Sequence, residues 1–398
     1  MSTRRVAITG LGAVTALGAD TEAFDAGLRE GRSAIGEVTL FSTEGFRTHL
    51  AAEAVEPVIE GRISYAPASR PDRFGIAAAL EAAEMAGLAR GDFEGAACIF
   101  GTGTGGASLT EVALRTLMAG GSPDSALLVP HQPCSVTDLV ARRLDARGPR
   151  TTIMTACSSS ATAIGYAGDL IRLGRVDVAI AGGAEGLCGL TYAGFNALRA
   201  TSPEPCRPFD EKRKGLTLGE GGAVLILEEE RRARARGATI LGYLAGWGVT
   251  ADAHHMTAPH PEGDGAARAM SAALADARLP ADAVDYLNAH GTATPHNDAA
   301  EVAAIKRVFG AHAARLPISS TKSMVGHTLG AAGAVEAVAS LLAMRGGYLP
   351  PTANLETPDP SFGLDFVPGK SRPGRIGVAM SSSFAFGGNN TVLVFTRG

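Results

Sequence analysis

The sequence predicts an α/β protein in which strands alternate with helices along nearly the whole chain. Short apolar runs of strand length recur in two series, and segments with the helical spacing of apolar residues separate most of them. Strands that alternate with helices imply parallel sheets with buried faces. The strand-like runs lie in residues 6–10, 97–101, 152–155, 176–182 and 222–227, then near residue 240 and in 284–290, 316–319, 376–381 and 392–396.

A charged helical segment separates the two series. It covers residues 228–236 and ends at a glycine, so we expect one half over residues 1–238 and a second half over 239–398. The glycine-rich run in 10–15 has a faint echo in 246–250, which does not establish a duplication by itself. The first of these runs lacks the glycine spacing of a dinucleotide-binding loop.

The bulk composition is typical of a soluble globular protein. The chain has 398 residues, of which 45% are hydrophobic and 19% are charged, and this length suits two to three domains. A net charge of −4 argues against general nucleic-acid binding. No apolar run approaches the ~20 residues of a membrane span, and residues 1–5 do not resemble a signal peptide. Together with five cysteines that show no metal-ligand spacing, these features predict a reduced, cytoplasmic protein.

Cys157 is the candidate nucleophile. It follows a predicted strand and precedes a predicted helix over residues 158–173, so its thiol lies at a helix N-terminus. The partial positive charge and unpaired N–H groups there lower the pKa of a cysteine below its free value of ~8.5. A free cysteine also serves often as a small buried hydrophobic residue, so both interpretations of Cys157 alone stay open.

Three later segments favour the catalytic interpretation. His290 follows one strand-like run, Lys322 and His327 follow another, and Phe386 lies between the last two. In open α/β sheets, ligand-binding residues gather at the carboxyl ends of strands. A single histidine is more often an ordinary buried or surface imidazole. A cysteine, two histidines and a lysine, each at a strand end, predict one shared site.

At these residues the chain resembles the β-ketoacyl-acyl-carrier-protein synthases, in particular their elongating cysteine–histidine–histidine branch. The resemblance covers nearly the whole chain. It implies a duplicated, five-layered α/β/α/β/α sandwich of the thiolase type, and the decarboxylative Claisen condensation of a cysteine-bound acyl group with malonyl-acyl-carrier protein. The motifs that carry it are TACSSS (155–160), AHGT (289–292), KSMVGH (322–327) and FGG (386–388), with AGGAE (181–185), RPFD (207–210) and GEG (219–221) between them.

The resemblance implies a chemical role for each residue of the predicted site. Cys157 would carry the acyl group, and the backbone N–H groups of Cys157 and Phe386 would form the oxyanion hole. Neutral His290 and His327 would donate hydrogen bonds to the enolate that decarboxylation leaves. Lys322 would hold the geometry and set the local potential rather than act as a nucleophile.

Supporting residues follow from the same resemblance. Phe386 with Gly387 would form a gate that faces Asp252 on another loop, and Ala385 stands where the family commonly has a glycine. Further residues would bind the phosphopantetheine arm, line the acyl pocket or hold a structural monovalent cation, although Ser382 stands where an asparagine is more usual. The pantetheine residues would be Thr292 and Thr294, the pocket residue Phe195, and the cation ligands Asn288, Glu336 and Ser381.

The resemblance also implies partners. It implies no bound cofactor, because the phosphopantetheine arm of an acyl carrier protein delivers the substrate. We expect a homodimer that pairs through an apolar edge strand over residues 176–183 with the segment 187–195, and a heterodimer with a homologous chain-length partner stays open. A basic cluster is expected to dock the acidic carrier protein: Arg199, Arg207, Lys212, Arg213 and Lys214.

Two other functions remain to be weighed. A non-elongating or chain-length-controlling ketosynthase partner has the same fold but lacks the nucleophile, which Cys157 with His290 and His327 argues against. A coenzyme A-dependent thiolase needs a second catalytic cysteine near the C-terminus, and no cysteine follows Cys206. The pathway stays open between fatty-acid elongation and type II polyketide or polyene synthesis, and the sequences of residues 130–134 and 381–386 slightly favour the latter.

Overall fold

The computed structural model describes residues 4–59 and 67–398. The expectation about a leader segment falls partly on residues 1–3, which lie outside the described residues. The first half contains β1 (Val6–Val14), α1 (Thr21–Glu30), β2 (Gly36–Glu37), β3 (Leu50–Ala52), α2 (Arg70–Met85), β4 (Ala97–Gly101), α3 (Ala107–Met118), α4 (Ser135–Leu144), β5 (Arg150–Ile153), α5 (Ser159–Arg172), β6 (Val178–Glu185), α6 (Gly189–Ala197), β7 (Leu218–Gly219), β8 (Gly221–Glu229) and α7 (Glu230–Ala235).

The second half repeats this alternation. Short 3₁₀ turns join several elements, and two of them, Ala156–Ser158 and Leu329–Ala331, matter for the site below. The elements of the second half are β9 (Gly242–Ala251), α8 (Asp264–Ala277), β10 (Tyr286–Asn288), α9 (Pro295–Phe309), β11 (Ile318–Ser319), α10 (Lys322–Val325), α11 (Ala332–Gly346), β12 (Tyr348–Leu349), β13 (Arg372–Pro373), β14 (Val378–Phe384) and β15 (Asn389–Thr396).

Two five-stranded sheets of identical topology confirm the predicted duplication. The strand order is β5-β4-β6-β8-β1 in the first sheet and β11-β10-β14-β15-β9 in the second, and β1 and β9 pair briefly where the sheets meet. When the strands of each sheet are numbered in chain order, the fifth strand pairs antiparallel with the first and with the fourth. The second strand pairs parallel with the fourth and with the third. The sheets are therefore mixed and not purely parallel. A short connection such as that between β14 and β15 can only join antiparallel neighbours.

Helices cover the outer faces of both sheets and fill the space between them. Helices α2 and α4 bury apolar side chains on the outside of the first sheet, and α8 and α9 do so on the second. Helices α5 and α11 lie between the sheets. This arrangement is the five-layered α/β/α/β/α sandwich. Among the described residues, Leu329–Gly346 is long and apolar enough to cross a membrane, but 89% of it is buried inside the protein, where it forms the central helix.

The repeated glycines of the two first strands have a packing role. A Cβ at Gly12 in β1 would lie 1.9 Å from the backbone oxygen of Ala78 in α2. A Cβ at Gly248 in β9 would lie 2.3 Å from the backbone oxygen of Ala269 in α8. Each glycine therefore lets the outer helix rest directly on the strand backbone, which explains the sequence echo between the halves.

The prediction that residues 176–183 form an edge strand is wrong. β6 pairs along its length with β8 on one side and with β4 on the other, so it is an interior strand. The outermost strand of the first sheet is β5. The apolar character of β6 reflects burial on both faces, which is the ordinary signature of an interior strand between helical layers.

Candidate active site

Cys157 lies in a strained turn between β5 and α5. The 3₁₀ turn Ala156–Ser158 leads into α5, and Ala156 has a φ of 49°, a left-handed conformation that is unfavourable for alanine. Gly101 at the end of β4 supports this turn, because a Cβ there would lie 2.1 Å from the backbone nitrogen of Ser160. The turn holds the thiol at the N-terminal end of α5, where it is only 6% exposed.

The pKa of Cys157 does not follow the sequence-based expectation. Burial raises the pKa of this thiol to about 11, although the charge of Lys322 and the backbone N–H groups of Phe386 and of Cys157 itself act in the lowering direction. A helix N-terminus favours an anion by at most about 2 kcal/mol, whereas full burial of a charged group shifts a pKa by several units. The thiol is therefore protonated at neutral pH in the resting protein.

His290 and His327 face each other beside the thiol. Their ring centroids are 5.3 Å apart with the ring planes at 86°, and one nitrogen of each ring lies within 4.8 Å of Cys157 Sγ and of the other ring's nitrogen. Both side chains are buried. Burial, followed by the charge of Lys322, lowers the pKa of each imidazole well below its ordinary value, so both rings are neutral at neutral pH.

Hydrogen bonds determine which ring nitrogen carries the proton. The backbone N–H of Leu329 donates to His327 Nδ1 at 3.2 Å, and Lys322 Nζ lies 3.3 Å from His290 Nδ1. A backbone N–H and an ammonium group can only donate, so both Nδ1 atoms are acceptors. In a neutral ring the proton is then on Nε2. Within the described residues, His327 Nε2 is buried without a partner. Cys157, His290 and His327 lie close enough together to bind a metal ion. In these tautomers, however, the Nε2 atoms carry protons and have no free lone pair for a metal.

Lys322 connects the histidines to α11. It is 2% exposed and forms a buried ion pair with Glu336 of that helix. Burial raises the pKa of Glu336 to about 7, against the lowering effect of the lysine charge. The lysine therefore has one partner that fixes its ammonium group and a second, His290, that receives a hydrogen bond from it.

Buried side-chain oxygen atoms on β10, β14 and α11 lack hydrogen-bond partners among the described residues. Asn288 and Ser381 are register partners on β10 and β14, and α11 packs against β14. Asn288 Oδ1, Glu336 Oε2 and Ser381 Oγ have no hydrogen-bond partner in the part of the chain that the structure describes. Ser382, the next residue on the strand, points to the other face of the sheet because strand side chains alternate.

The thiol and both histidines open into a cavity of about 560 Å³. Thr292 and Thr294 lie on its wall with their hydroxyl oxygens 2.9 Å apart. Phe195 lines the same cavity and stacks against Phe386, with ring centroids 5.9 Å apart. The residues assigned to the pantetheine arm, the acyl pocket and the gate therefore line one cavity, and this cavity leads to Cys157.

Two loops meet at the expected gate. Asp252 accepts a hydrogen bond from Asn390 Nδ2 at 2.7 Å, and its backbone N–H donates to the oxygen of Gly388 at 2.9 Å. The N–H of Gly387, which has a φ of 84°, donates to the oxygen of Met256 at 2.7 Å. Ala385 does not adopt a positive φ, so the alanine fits this loop without strain.

The predicted basic cluster is divided by the fold. Arg199 and Lys214 line the cavity, but Arg213 is nearly buried between Asp298 and Asp359 and cannot meet a partner protein. Its inclusion in the docking cluster is therefore wrong. Lys212 is exposed, with 69% of its side chain accessible.

Sequence reasoning missed a carboxylate that supports His290. Glu301 on α9 is buried and accepts hydrogen bonds from the backbone N–H groups of His290 and Gly291, both at 2.8 Å. Burial raises the pKa of Glu301 to about 8, against these hydrogen bonds. An acidic residue on the apolar face of the helix after AHGT was the available signal, because a charged group is seldom buried without partners.

Comparison with known proteins gives matches over almost the whole chain. Residues 3–233 match the model of the β-ketoacyl synthase N-terminal domain, and residues 241–356 match that of the C-terminal domain. Nodulation protein E of Rhizobium meliloti (strain 1021) is 44% identical over 99% of both chains. The 3-oxoacyl-[acyl-carrier-protein] synthase 2 of Synechocystis sp. is 41% identical over 99% of this chain and 98% of its own.

Solved structures include a neighbour of the same overall shape. The ishigamide ketosynthase/chain length factor superposes with a TM-score of 0.94 at 38% identity, and the match covers 100% of both chains. The thiolase-type arrangement of strands and helices described above is therefore shared with this neighbour along its entire length.

Proposed function

The chain belongs to the β-ketoacyl synthase family, and we propose from this premise that it is an elongating 3-oxoacyl-acyl-carrier-protein synthase. One observation carries the proposal: two neutral imidazoles, each accepting a hydrogen bond at Nδ1, line the same cavity as the thiol of Cys157 and lie close to it. A chain-length-controlling partner would need no such convergence. The domain division at residue 238 and the cytoplasmic location remain predictions from the sequence.

Acyl transfer is the first half-reaction. The sulfur of Cys157 attacks the thioester carbon of an acyl group on the phosphopantetheine arm, and the pantetheine sulfur leaves as a thiol with the proton that Cys157 gives up. The backbone N–H groups of Cys157 and Phe386, which both lie near the sulfur, would donate hydrogen bonds to the carbonyl oxygen and stabilise its negative charge in the transition state. Because the resting thiol is protonated, Cys157 must lose its proton during acyl transfer.

Condensation is the second half-reaction. The thioester oxygen of malonyl-acyl-carrier protein would accept hydrogen bonds from Nε2–H of His290 and His327. Loss of carbon dioxide leaves an enolate on that oxygen, which the two donors stabilise. The enolate carbon attacks the acyl thioester on Cys157, the carbon–sulfur bond breaks, and the released thiolate takes up a proton. The product is a 3-oxoacyl group on the carrier.

The carrier protein would dock at the mouth of the cavity. Thr292 and Thr294 offer hydroxyl groups along the path of the phosphopantetheine arm. Arg199 and Lys214, which line the cavity, and Lys212, which is exposed two residues before Lys214, offer positive charge for an acidic carrier. Reversing Arg199 and Lys212 to glutamate is expected to slow carrier association and flatten its salt dependence, while turnover of a small acyl-pantetheine mimic stays unchanged. Stopped-flow association measured across salt concentrations checks this.

A matched double variant controls for net charge. Arg278→Glu with Lys370→Glu changes the total charge by the same amount at exposed positions that do not line the cavity. This control is expected to keep the association rate. Equal slowing by both double variants would remove the cluster at the cavity mouth from the mechanism.

We further propose that the protein dimerises through the outer edge of β5. This strand leaves one row of backbone groups unpaired, and Met154, which directly follows it, has an exposed apolar side chain. Such an edge favours pairing with a second strand, and an obligate interface of this type buries roughly 2,000 Å² or more. The chain length factor named with the ishigamide ketosynthase makes a heterodimer the second candidate assembly.

Sedimentation tests the dimer. Met154→Asp is expected to shift the purified chain towards monomer and to lower its activity, because a buried carboxylate at the interface is unfavourable. Leu173→Asp is the control. Leu173 is also apolar and exposed, but it caps the C-terminal end of α5, so this variant is expected to sediment as a dimer. A stable, active monomer of the unsubstituted chain at micromolar concentration would overturn the proposal.

We propose that a structural monovalent cation binds the unpartnered oxygen atoms on β10, β14 and α11. Asn288, Glu336 and Ser381 would hold it, and it would supply positive charge behind Lys322. Replacing sodium and potassium by choline at constant ionic strength is then expected to lower Tm more in the unsubstituted protein than in Ser381→Ala. An identical Tm in both ionic media would contradict the cation site.

A further inference from the structure

Glu185 is a buried carboxylate that the reaction described above does not use. It is the last residue of β6 within the AGGAE segment, and its side chain is fully buried. Its Oε1 accepts hydrogen bonds from the backbone N–H of Thr104 at 3.0 Å and from the Thr104 hydroxyl at 2.5 Å. Its Oε2 accepts from the N–H groups of Gly103 at 2.6 Å and of Gly330 at 3.0 Å.

These contacts identify Glu185 as an anchor between distant segments of the chain. Burial raises the pKa of Glu185, while its hydrogen bonds act in the lowering direction. Three of its four donors are backbone N–H groups, which can only donate, so both carboxyl oxygens act as acceptors in this contact. The segments touch closely, because a Cβ at Gly330 would lie 2.6 Å from the nitrogen of Gly103 and 2.7 Å from Glu185 Oε2.

The turn that Glu185 holds is the one that orients His327. Leu329 has a φ of 47°, which is unfavourable for a leucine, so this turn requires support from its surroundings. The N–H of Leu329 donates to His327 Nδ1, and the next N–H, that of Gly330, donates to Glu185. Loss of the second hydrogen bond would free the turn and with it the donor that fixes the tautomer of His327.

We propose that Glu185 is a positioning residue that keeps His327 in the tautomer with its proton on Nε2, by anchoring the strained turn at Leu329 and Gly330. The effect of Glu185 on the His327 tautomer does not depend on the proposed function. Its effect on the rate of decarboxylation rests on the proposed function. The consequence for the reaction is that enolate stabilisation depends on Glu185, while the acyl-transfer step, which uses the backbone N–H groups near Cys157, depends on it less.

Histidine ¹⁵N chemical shifts in the resting, full-length protein test the structural part without any substrate. The unsubstituted protein is expected to show His327 as a single neutral tautomer with Nε2 protonated, and His327→Gln assigns its signal among those of the nine histidines. Glu185→Met, which has similar length but only a weak sulfur acceptor in place of the carboxylate, is expected to give a mixture of tautomers. Glu185→Gln is expected to restore much of the single tautomer, because its amide oxygen can still reach Gly330.

Kinetics of the two half-reactions test the consequence. Glu185→Met is expected to slow malonyl decarboxylation at least roughly tenfold more than acyl transfer to Cys157. Thr104→Val is the matched control, since it removes one hydrogen bond to the same carboxylate and leaves Gly330 untouched. It is expected to keep the tautomer and the ratio of the two rates.

Different failures are distinguishable. A single Nε2–H tautomer in Glu185→Met, or the same change in Thr104→Val, would overturn the positioning role. A tautomer mixture in Glu185→Met with no decarboxylase activity in the unsubstituted protein would instead reject the proposed function and leave the positioning role standing. If Glu185→Met does not fold, Glu185→Asp decides the same question, because it keeps the charge but withdraws the carboxylate from Gly330.

Discussion

Cys157→Ala is expected to abolish 3-oxoacyl product formation while leaving the protein folded. The substitution removes the sulfur that would carry the acyl group, and among the described cysteines it is the one that lines the cavity. The change loses one atom at a buried position, so the free energy of unfolding should fall by no more than about 1–2 kcal/mol. Mass spectrometry of the intact protein should detect the acyl adduct in the unsubstituted chain and none in the variant.

Cys98→Ala is the matched control for this experiment. Cys98 is also a buried thiol, and burial raises its pKa as well, but it lies in the interior strand β4 away from the cavity. The control is expected to retain acylation and product formation. Product formation by Cys157→Ala at the rate of the unsubstituted protein would reject the covalent mechanism.

The pH dependence of labelling gives a second readout on the same residue. A pKa of about 11 means that the reactive thiolate fraction of Cys157 rises with pH throughout the neutral range. Alkylation of the resting enzyme by iodoacetamide should therefore accelerate by roughly tenfold per pH unit below that pKa. A rate that reaches a plateau near neutral pH would show a lowered pKa and restore the interpretation based on the helix terminus alone.

The location of the candidate site was predictable from local sequence because each candidate residue follows a strand. Cys157 follows β5, His290 follows β10 and Lys322 follows β11, and all three strands are parallel members of their sheets. A strand end is a local pattern that a sequence displays. The convergence of those ends follows from the general behaviour of α/β sheets, so the cluster of cysteine, histidines and lysine could be inferred before any distance was known.

The errors concern properties that arise only when remote segments pack together. The raised pKa of Cys157 results from the segments that bury it, and the interior position of β6 results from a strand order that the chain sequence does not display. Arg213 looked like a surface charge until the fold placed it between Asp298 and Asp359. Glu185 was recognised only as part of a motif, because its donors come from segments far from it along the chain.

His290→Ala and His327→Ala are each expected to impair malonyl decarboxylation far more than acylation of Cys157. Each variant removes one of the two Nε2–H donors to the developing enolate, which corresponds to about 3 kcal/mol or roughly 10²-fold in rate. In the proposed mechanism, acylation uses the backbone N–H groups at Cys157 and Phe386, which both substitutions leave in place. Release of labelled carbon dioxide and transfer of a labelled acyl group to Cys157, measured separately, give the two rates.

His327→Gln tests whether donation or proton transfer is the essential property of this ring. A glutamine amide can donate an N–H to the enolate oxygen but cannot act as a base at neutral pH. His327→Gln should therefore decarboxylate malonyl-acyl-carrier protein faster than His327→Ala does. Because burial and Lys322 lower the pKa of both imidazoles, neither ring is a cation in the resting enzyme, and the donor role needs no charge. Equal losses of acylation and decarboxylation in both alanine variants, with no recovery by glutamine, would instead assign a histidine as the base that activates the thiol.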